Sequence, residues 1–435
     1  MTQKIKQRIE QIWRGEVPEG YKRTKIGIVP VEWEITQLNS ISSHVIKKNT
    51  NGKIQTTFTN SATQGVIKQT DYFDKEISNK ENITSYYVVQ ENDYIYNPRI
   101  SVSAPCGPIN KSHFSENGVV SPLYTVFRLN GAFQKNKYIE FFFKSSFWHS
   151  YMCSIANYGA RHDRMNITND DLFSMPIPFP PLAEQEKIAE ILQTQDKVIE
   201  LQQKKIEELK RLKKVYLSKM FPKKGYNVPE IRFPGFTDAW EQRKLGDFTK
   251  RVQGNDGRMD LPTLTISAGS GWLDQRDRFS ANIAGKEQQN YTLLHKGELS
   301  YNHGNSKLAK YGAVFSLRTY EEALVPRVYH SFKVTDAADA DYIEYIFATK
   351  LPDKELGKLI SSGARMDGLL NINYDEFMGI KITIPSVEEQ KQLSTYFRNL
   401  DNLITLHQRK LDEEQKKKKS LMQLLLTGIV RVEVK

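Results

Sequence analysis

The sequence IPFPPLAEQEKIAEIL (177–192) recurs in altered form as ITIPSVEEQKQLSTYF at 382–397, and this recurrence indicates the fold. Gln185 and Gln390 occupy equal positions, 205 residues apart. Matching pairs continue upstream at nearly the same spacing, as far as Trp33 and Trp240. A repeat of this length indicates a duplicated domain, since solenoid repeats are much shorter. The sequence therefore predicts two copies of one unit, an internal pseudo-twofold duplication.

Each copy ends in a long helix, predicted from about 182 to 220 and from about 387 to 427. Apolar residues recur at spacings of 3, 4 and 7 and form one stripe on each helix; they include Ile188, Leu192, Ile199 and Ile206, and Leu393, Phe397, Ile404 and Leu411. Polar stripe positions such as Gln195 and Lys213 can fix the register of a helix pair. Two equal stripes in one chain can bury each other, which favours paired helices. A plain amphipathic helix lying on a domain is the alternative.

The part of each copy before the helix is a mixed α/β globule. Alternating apolar residues predict strands, and β-branched and aromatic residues predict further strands. The predicted strands are Met175–Phe179, Ile380–Ile384, 119–129 and 323–334, and the predicted helices cover 138–143 and 342–347. Segment 222–236 is rich in Pro and Gly, which is typical of a linker. The fold class is therefore α+β.

Bulk properties narrow the class of protein. Lys and Arg exceed Asp and Glu by 62 to 51 in 435 residues, a net charge of +11. This excess suits a polyanionic partner, although a merely Lys-rich protein fits equally. Cys106 and Cys153 have no metal-ligand or disulfide-framework spacing. With no signal peptide and no apolar run long enough to span a membrane, we expect a cytoplasmic protein.

Catalytic signatures are missing from the sequence. It has no phosphate-binding G-x-x-x-x-G-K-[ST] loop, and its histidines show no metal spacing. Asn97-Pro98-Arg99 faintly resembles the adenine methyltransferase motif Asn-Pro-Pro-aromatic, but lacks the second proline and the aromatic residue. We therefore expect no catalytic residues, no cofactor site and no metal site in this chain.

Basic and amide side chains cluster in stretches that differ between the copies. Arg, Lys, Asn and Gln are the side chains that pair with base edges in the major groove. The candidate DNA-binding residues of this kind are Lys47, Lys48, Asn97, Arg99, Arg251, Arg258, Asn302, His303 and Lys307. Ordinary polar loops remain the alternative for each of them.

A Gly-Ala-Arg turn is common to both copies, at 159–161 and 363–365. Residues that both copies share should perform a task that both copies share. We therefore expect Arg161 and Arg365 to bind DNA phosphates, which position a protein without specifying sequence. The alternative is an ion pair with Asp163 or Asp367.

The chain resembles the specificity (S) subunit of a type I restriction–modification system. The resemblance covers nearly the full length and rests on four segments in the family's order: GYKRTKIGIVPVEWEITQLNSI (20–41), PPLAEQEKIAEIL (180–192), FPGFTDAWEQRKLGDF (233–248), and SGAR with LNIN (362–373). One departure is Gly-Ala-Arg-His-Asp-Arg in the first copy against Gly-Ala-Arg-Met-Asp-Gly in the second. The loop after the shared Arg therefore differs between the halves.

The resemblance implies two tandem α/β target-recognition domains, separated by two long antiparallel coiled-coil helices. The expected boundaries are an N-terminal helical segment (1–20), recognition domain 1 (21–181), a central helix (182–221), a linker (222–236), recognition domain 2 (237–386), a C-terminal helix (387–427) and a tail (428–435). It further implies a bipartite double-stranded DNA target in phage defence, two methyltransferase (M) subunits and two restriction (R) subunits. S-adenosylmethionine, ATP and Mg²⁺ are then expected on those partners.

Two competing hypotheses stay open at this point. One is a single-chain nuclease or methyltransferase, although the repeat leaves no room for a catalytic domain. The other is a coiled-coil scaffold unrelated to DNA. Retarded migration of a DNA duplex that carries a two-part motif, seen only with a methyltransferase subunit present, would separate these two hypotheses from the specificity subunit.

Overall fold

A computed structural model describes residues 3–72, 83–156, 163–279, 285–360 and 369–433. The chain divides into two compact units, residues 1–202 with 410–435, and residues 203–409. Each unit contains one globule together with part of each long helix.

The first unit alternates short strands with short helices before the first long helix. Its elements are α1 (Gln3–Trp13), β1 (Tyr21–Arg23), β2 (Ile28–Pro30), β3 (Glu34–Gln37), α2 (Leu38–Ile41), β4 (Ser42–His44), β5 (Phe58–Ser61), β6 (Gly65–Lys68), α3 (Gln69–Tyr72), β7 (Tyr87–Val89), β8 (Tyr94–Tyr96), β9 (Ile109–Lys111), β10 (Gly118–Val120), β11 (Thr125–Leu129), α4 (Lys137–Lys144), α5 (His149–Ile155), α6 (Asn169–Phe173), β12 (Pro176–Phe179) and α7 (Leu182–Lys219). Helix α7 continues into the second unit.

The second unit repeats this order from the strand after the linker. Its elements are β13 (Glu241–Lys244), β14 (Thr249–Arg251), β15 (Leu264–Ser267), β16 (Gly271–Asp274), α8 (Gln275–Phe279), β17 (Thr292–His295), β18 (Leu299–Asn302), β19 (Ala313–Ser316), β20 (Glu322–Val325), β21 (His330–Val334), α9 (Ala340–Ala348), α10 (Asp353–Leu359), α11 (Tyr374–Met378), β22 (Lys381–Ile384) and α12 (Val387–Leu426). Helix α12 ends in the first unit.

The two globules share one sheet topology. A four-stranded antiparallel sheet has the order β4-β11-β8-β9 in the first unit and β14-β21-β18-β19 in the second. Each unit also contains three equivalent two-stranded pairs, β3 with β12, β5 with β6 and β7 with β10, matched by β13 with β22, β15 with β16 and β17 with β20. The duplication seen in the sequence is thus a duplication of topology.

A buried helix packs within each globule's core. In α4 the side chains of Tyr138, Ile139 and Phe142 are fully buried, and in α9 those of Tyr342 and Ile343 are. The Tyr138 hydroxyl donates to the carbonyl of Pro178, 2.8 Å away, in β12. Its equivalent Tyr342 donates to the carbonyl of Thr383 in β22, 3.3 Å away. The helices predicted at 138–143 and 342–347 are therefore confirmed, as are the strands before the long helices.

The stretches 119–129 and 323–334 were each predicted to form a strand. Both stretches are extended, but each forms two strands that belong to different sheets. In the first unit a turn separates β10 from β11, and the Tyr124 amide donates to the Ser121 carbonyl at 3.0 Å. In the second, the Tyr329 amide donates to the Pro326 carbonyl at the same distance. Pro122 and Pro326 lack the amide hydrogen that a continuous ladder needs.

The long helices α7 and α12 form single helices of 38 and 40 residues, as predicted. In the first unit Gln195 donates to the Glu414 carboxylate at 2.6 Å, and Ile188 and Leu192 lie in the same core cluster as Leu426. In that unit, therefore, early residues of α7 meet late residues of α12.

The two helices also meet within the second unit. Lys213 pairs with Asp401 at 2.5 Å, and the rings of Tyr216 and Tyr396 are 5.5 Å apart. Leu393 and Phe397 are buried in its main core, and Ile404 packs against that core. Late residues of α7 thus meet early residues of α12, so the helices run in opposite directions where they meet in either unit.

Candidate nucleic-acid interface

Equivalent loops follow the central sheet strands β8 and β18. An equivalent asparagine, Asn97 in one loop and Asn302 in the other, fixes the conformation of each. The side-chain amide of Asn97 donates to the Asn60 carbonyl at 3.0 Å, and its oxygen accepts from the Arg99 amide at 3.0 Å. Asn302 donates to the Ile266 carbonyl at 3.2 Å, and accepts from the Gly304 amide at 3.0 Å. Each is an Asx turn anchored to a neighbouring hairpin. Asn97 and Asn302 were predicted to contact DNA, but in this conformation these bonds occupy both ends of their side chains.

A second shared turn shapes the tip of each loop. The Ser101 hydroxyl accepts from the Ala104 amide, and the Ser306 hydroxyl accepts from the Ala309 amide, both at 3.1 Å. The loops then close at Gly107 and Gly312, whose φ angles are +74° and +82°. A Cβ atom at either position would clash with the carbonyl oxygen of Asn97 or Asn302. Only glycine suits this close backbone approach. We call residues 97–107 and 302–312 the framed loops.

Each framed loop pairs with the segment that follows the shared Gly-Ala-Arg turn. The Met165 amide donates to the Pro98 carbonyl, and the Leu370 amide donates to the His303 carbonyl, both at 2.9 Å. Arg161, Arg365 and Asp367 lie outside the described residues. Asp163 is described, and its carboxylate is 3.8 Å from the guanidinium of Arg164.

Three predicted basic residues of the first unit present their side chains to solvent. Lys47, Lys48 and Arg99 are exposed. The backbones of Lys47 and Lys48 pair with β7, which fixes the chain at this point. Among the described residues, the Arg99 guanidinium forms no ion pair.

In each unit an asparagine fixes the loop that carries predicted basic residues. Asn49 is 2% exposed and donates to the Ile54 carbonyl at 2.8 Å. Asn255 donates to the carbonyls of Arg258, at 3.0 Å, and Gln288, at 3.3 Å. These amide groups maintain the loop conformation, and the basic residues beside them remain on the surface.

Arg251 in β14 and Arg258 in the loop that follows were both predicted to bind DNA, but their intramolecular contacts differ. The exposed guanidinium of Arg251 lies 4.3 Å from the centroid of the Tyr374 ring, a cation–π contact. Arg258 instead forms a bidentate ion pair with Glu322, at 2.7 and 3.1 Å, and a bond to Asp256 at 2.7 Å. Its hydrogen bonds to Glu322 raise the pKa of Arg258. The structure therefore gives Arg258 an intramolecular role where the sequence predicted DNA contact.

The structure buries His303, which was also predicted to contact DNA. Its side chain is 5% exposed, and its ring centroid is 5.0 Å from that of His330. Burial lowers the pKa of His330, whose Nε2 lies 2.8 Å from the Ile372 carbonyl. The two rings pack against each other at the start of the framed loop. A lone histidine in sequence could not distinguish this role from DNA contact.

A cleft of about 430 Å³ lies beside the framed loop of the second unit. Its walls are the loop itself, including Lys307, and the turn at Ser267–Gly269 between β15 and β16. Arg278 of α8 also lines it. Lys307 is exposed, so its ammonium can reach a ligand in or above the cleft. Sequence reasoning missed Arg278.

The predicted helix-pairing residues are mostly buried. Ile188, Leu192, Ile206, Leu393, Phe397 and Leu411 are at most 7% exposed, while Ile199 and Ile404 are half-buried. The stripes therefore face protein along both helices.

Within the described ranges, no group of three or more His, Cys, Asp or Glu could hold a metal ion. The helices of those ranges include none with the length and hydrophobicity of a transmembrane segment.

Comparison with known proteins places these features in one family. The model of the type I restriction modification DNA specificity domain matches residues 30–211 and 238–414. The chain is 25% identical over 428 residues to the type I restriction enzyme MjaVIII specificity subunit of Methanocaldococcus jannaschii, covering 93% of this chain and 94% of the relative. It is 26% identical over 444 residues to the putative MjaX specificity subunit of that organism, covering 95% and 97%.

Two solved structures share the fold. One is a chain from a study of complex assembly and conformational transition of the type I R-M system, with a TM-score of 0.54 and 14% identity over 92% of this chain and 99% of that one. The other is the type I restriction–modification S subunit from M. genitalium, with a TM-score of 0.51 and 14% identity over 93% and 97%.

Proposed function

Because this chain belongs to the type I restriction–modification DNA specificity family, we propose that each of its two globules recognises one half of a bipartite DNA target. Family membership makes the chain a specificity subunit, a non-catalytic component that recognises DNA sequence. Two methyltransferase subunits and two restriction subunits complete the proposed complex. S-adenosylmethionine, ATP and Mg²⁺ belong to those partners in this proposal.

The observation that carries the bipartite proposal is the pair of framed loops. Both loops have the same Asx turn, the same serine turn and the same closing glycine. The residues around the shared serine differ, being Arg99, Ile100, Val102 and Ser103 in one loop and Gly304, Asn305, Lys307 and Leu308 in the other. Equal frames with different outer residues suit two domains that dock on DNA alike and recognise different bases.

The long helices support the spacer and scaffold parts of the proposal. We propose that α7 and α12 form an antiparallel coiled coil that sets the distance between the half-sites. Apolar residues on their outer faces are exposed, namely Leu201, Leu212, Val215, Leu403 and Leu406. Exposed apolar side chains grouped along a helix pair are typical of a surface that binds other subunits.

The proposal is tested by expressing the chain with its methyltransferase partner and mapping methylated bases across the host genome. We expect one bipartite motif with a fixed gap. A duplex with that motif should then be retarded in a gel only when both subunits are present. Methylation at a continuous motif would contradict the two-half proposal, and turnover by the pure chain would favour an enzyme.

A further inference from the structure

We propose that the tips of the two framed loops are base-recognition elements, in which Val102 contacts the C5-methyl group of a thymine and Lys307 donates to the N7 and O6 atoms of a guanine. This inference rests on the proposed function and deepens it, because it names one residue and one kind of base in each half-site.

The two tips occupy the same place on the same frame. Positions 97–112 and 302–317 align without a gap, so that Val102 corresponds to Lys307 and Ser103 to Leu308. The hydroxyls of Tyr96 and Tyr301, at the ends of β8 and β18, donate to the residue before the closing glycine, at 3.1 and 2.7 Å. The backbone at the tip is therefore held alike in both units, whatever side chain it carries.

The side chains at the tips point away from protein. Val102 is fully exposed, Lys307 and Asn305 are exposed, and Leu308 is 70% exposed. Ala104 and Ala309, whose amides close the serine turns, are instead buried, at 6% and 2% exposure. Such a division, with fixed inner residues and free outer ones, permits the outer residues to vary without loss of the fold.

The start of each framed loop pairs with the chain segment that follows the shared Gly-Ala-Arg turn. The Met165 amide donates to the Pro98 carbonyl, and the Leu370 amide donates to the His303 carbonyl. The cleft beside Lys307 gives a base edge or phosphate room to approach.

The chemistry of each tip selects a different base. An exposed branched alkyl group has no hydrogen bond to offer, and its favourable partner in the major groove is the thymine methyl group. A lysine ammonium offers only donors, and guanine presents two acceptors, N7 and O6, in that groove. Val102 and Lys307 therefore give the two half-sites different requirements at equivalent positions.

The test combines protein variants with modified bases in the mapped duplex. Binding is measured by gel retardation with the methyltransferase subunit present. Each thymine is replaced in turn by uracil, which lacks the methyl group, and each guanine by 7-deazaguanine, which lacks the N7 acceptor. We expect the wild-type complex to lose about fourfold in affinity at one thymine of one half-site, the value of one buried methyl group. We expect at least about a fivefold loss at one guanine of the other half-site.

The variants assign these losses to the loop tips. Val102→Ala should abolish the sensitivity to uracil, and Lys307→Val the sensitivity to 7-deazaguanine, because the contact is already gone. The matched controls are Leu123→Ala, an exposed apolar residue in the β10–β11 turn, and Lys333→Val, an exposed lysine of β21 outside the framed loop. Both controls should keep the wild-type sensitivities.

The possible outcomes separate this inference from the proposed function. If wild-type complex binds the duplex but a variant keeps every wild-type sensitivity, the inference is overturned for that loop. A Lys307→Val variant that binds all duplexes equally more weakly, with unchanged sensitivities, would show a phosphate contact and also overturn it. If the wild-type complex binds no two-part duplex, the proposed function itself fails.

Discussion

Among single residues, the intramolecular partners of a side chain determine whether it is available to contact DNA. Arg258 and Arg251 look alike in sequence, as basic residues near the start of the second globule. In the structure, three hydrogen bonds to carboxylates hold Arg258, whereas Arg251 lies exposed over an aromatic ring. The two residues should therefore respond differently to the same substitution.

Arg258→Ala should lower the melting temperature and leave DNA affinity nearly unchanged. The substitution removes the partner of Glu322 and Asp256 and frees no DNA-binding group. Arg251→Ala is the matched variant, and it should weaken binding with little effect on stability. Thermal unfolding and DNA-binding isotherms of both complexes check this pair. The reverse pattern would return Arg258 to the DNA surface.

Arg161→Ala and Arg365→Ala should each weaken DNA binding about equally for every sequence. A phosphate contact carries no base information, and loss of one should reduce the slope of log K against log salt by about 0.9. Affinity measured over a series of salt concentrations tests this expectation. A changed methylation motif in either variant would mean that the arginine contacts a base.

At the scale of secondary-structure elements, both long helices begin with the same buried ion pair. Glu184, near the start of α7, accepts two bonds from Arg431, at 2.7 and 2.8 Å. Glu389, near the start of α12, accepts two bonds from Arg232, at 2.8 and 2.7 Å. Both carboxylates are at most 4% exposed. Each also lies in the first turn, where the helix dipole favours a negative charge.

Arg232→Ala and Arg431→Ala should each destabilise the protein by about 3 kcal/mol, because each leaves a buried carboxylate without its partner. Lys187→Ala, in the first turns of α7, is the control. Its ion pair with Glu190 is exposed on both sides, and its loss should cost about 0.5 kcal/mol or less. Urea unfolding of the three variants checks the difference. Equal losses in all three would mean that water replaces the lost arginine.

At the scale of the whole molecule, the long helices are proposed to measure the gap between half-sites. Four residues inserted beside Lys205 in α7 and beside Lys410 in α12 would add about 6 Å to each helix. Four residues are close to one helical turn, so the apolar stripes stay nearly in phase. Since base pairs are spaced by about 3.4 Å, the gap should grow by one or two base pairs while both half-sites stay the same.

Methylation mapping of the insertion variant provides the measurement. The matched control places four residues in the linker at 222–236, outside both helices, and should leave the gap unchanged. An active insertion variant with the original gap would mean that the helices only bind partner subunits.

The duplication, the two long helices, the strands that precede them and the family could all be predicted from the sequence. The helices and strands follow from local periodicity, the duplication from the match between copies spaced near 205 residues apart, and the family from motifs in order along the chain. The gapless match of the framed loops was also present in the sequence. Ser101 with Ser306, and Gly107 with Gly312, could have extended the match already seen at Asn97 and Asn302.

Which polar residues are available to a ligand could not be predicted from the sequence, because it depends on how the chain folds. Arg258 is engaged by Glu322, 64 residues away, and Asn97 by the backbone of Asn60, 37 residues away. His303 is buried against the ring of His330, 27 residues away in β21, whereas Val102 is exposed at a loop tip. Periodicity reports on neighbours within one element. Availability depends on partners that folding brings from distant parts of the chain, and for these the sequence contains no local signal.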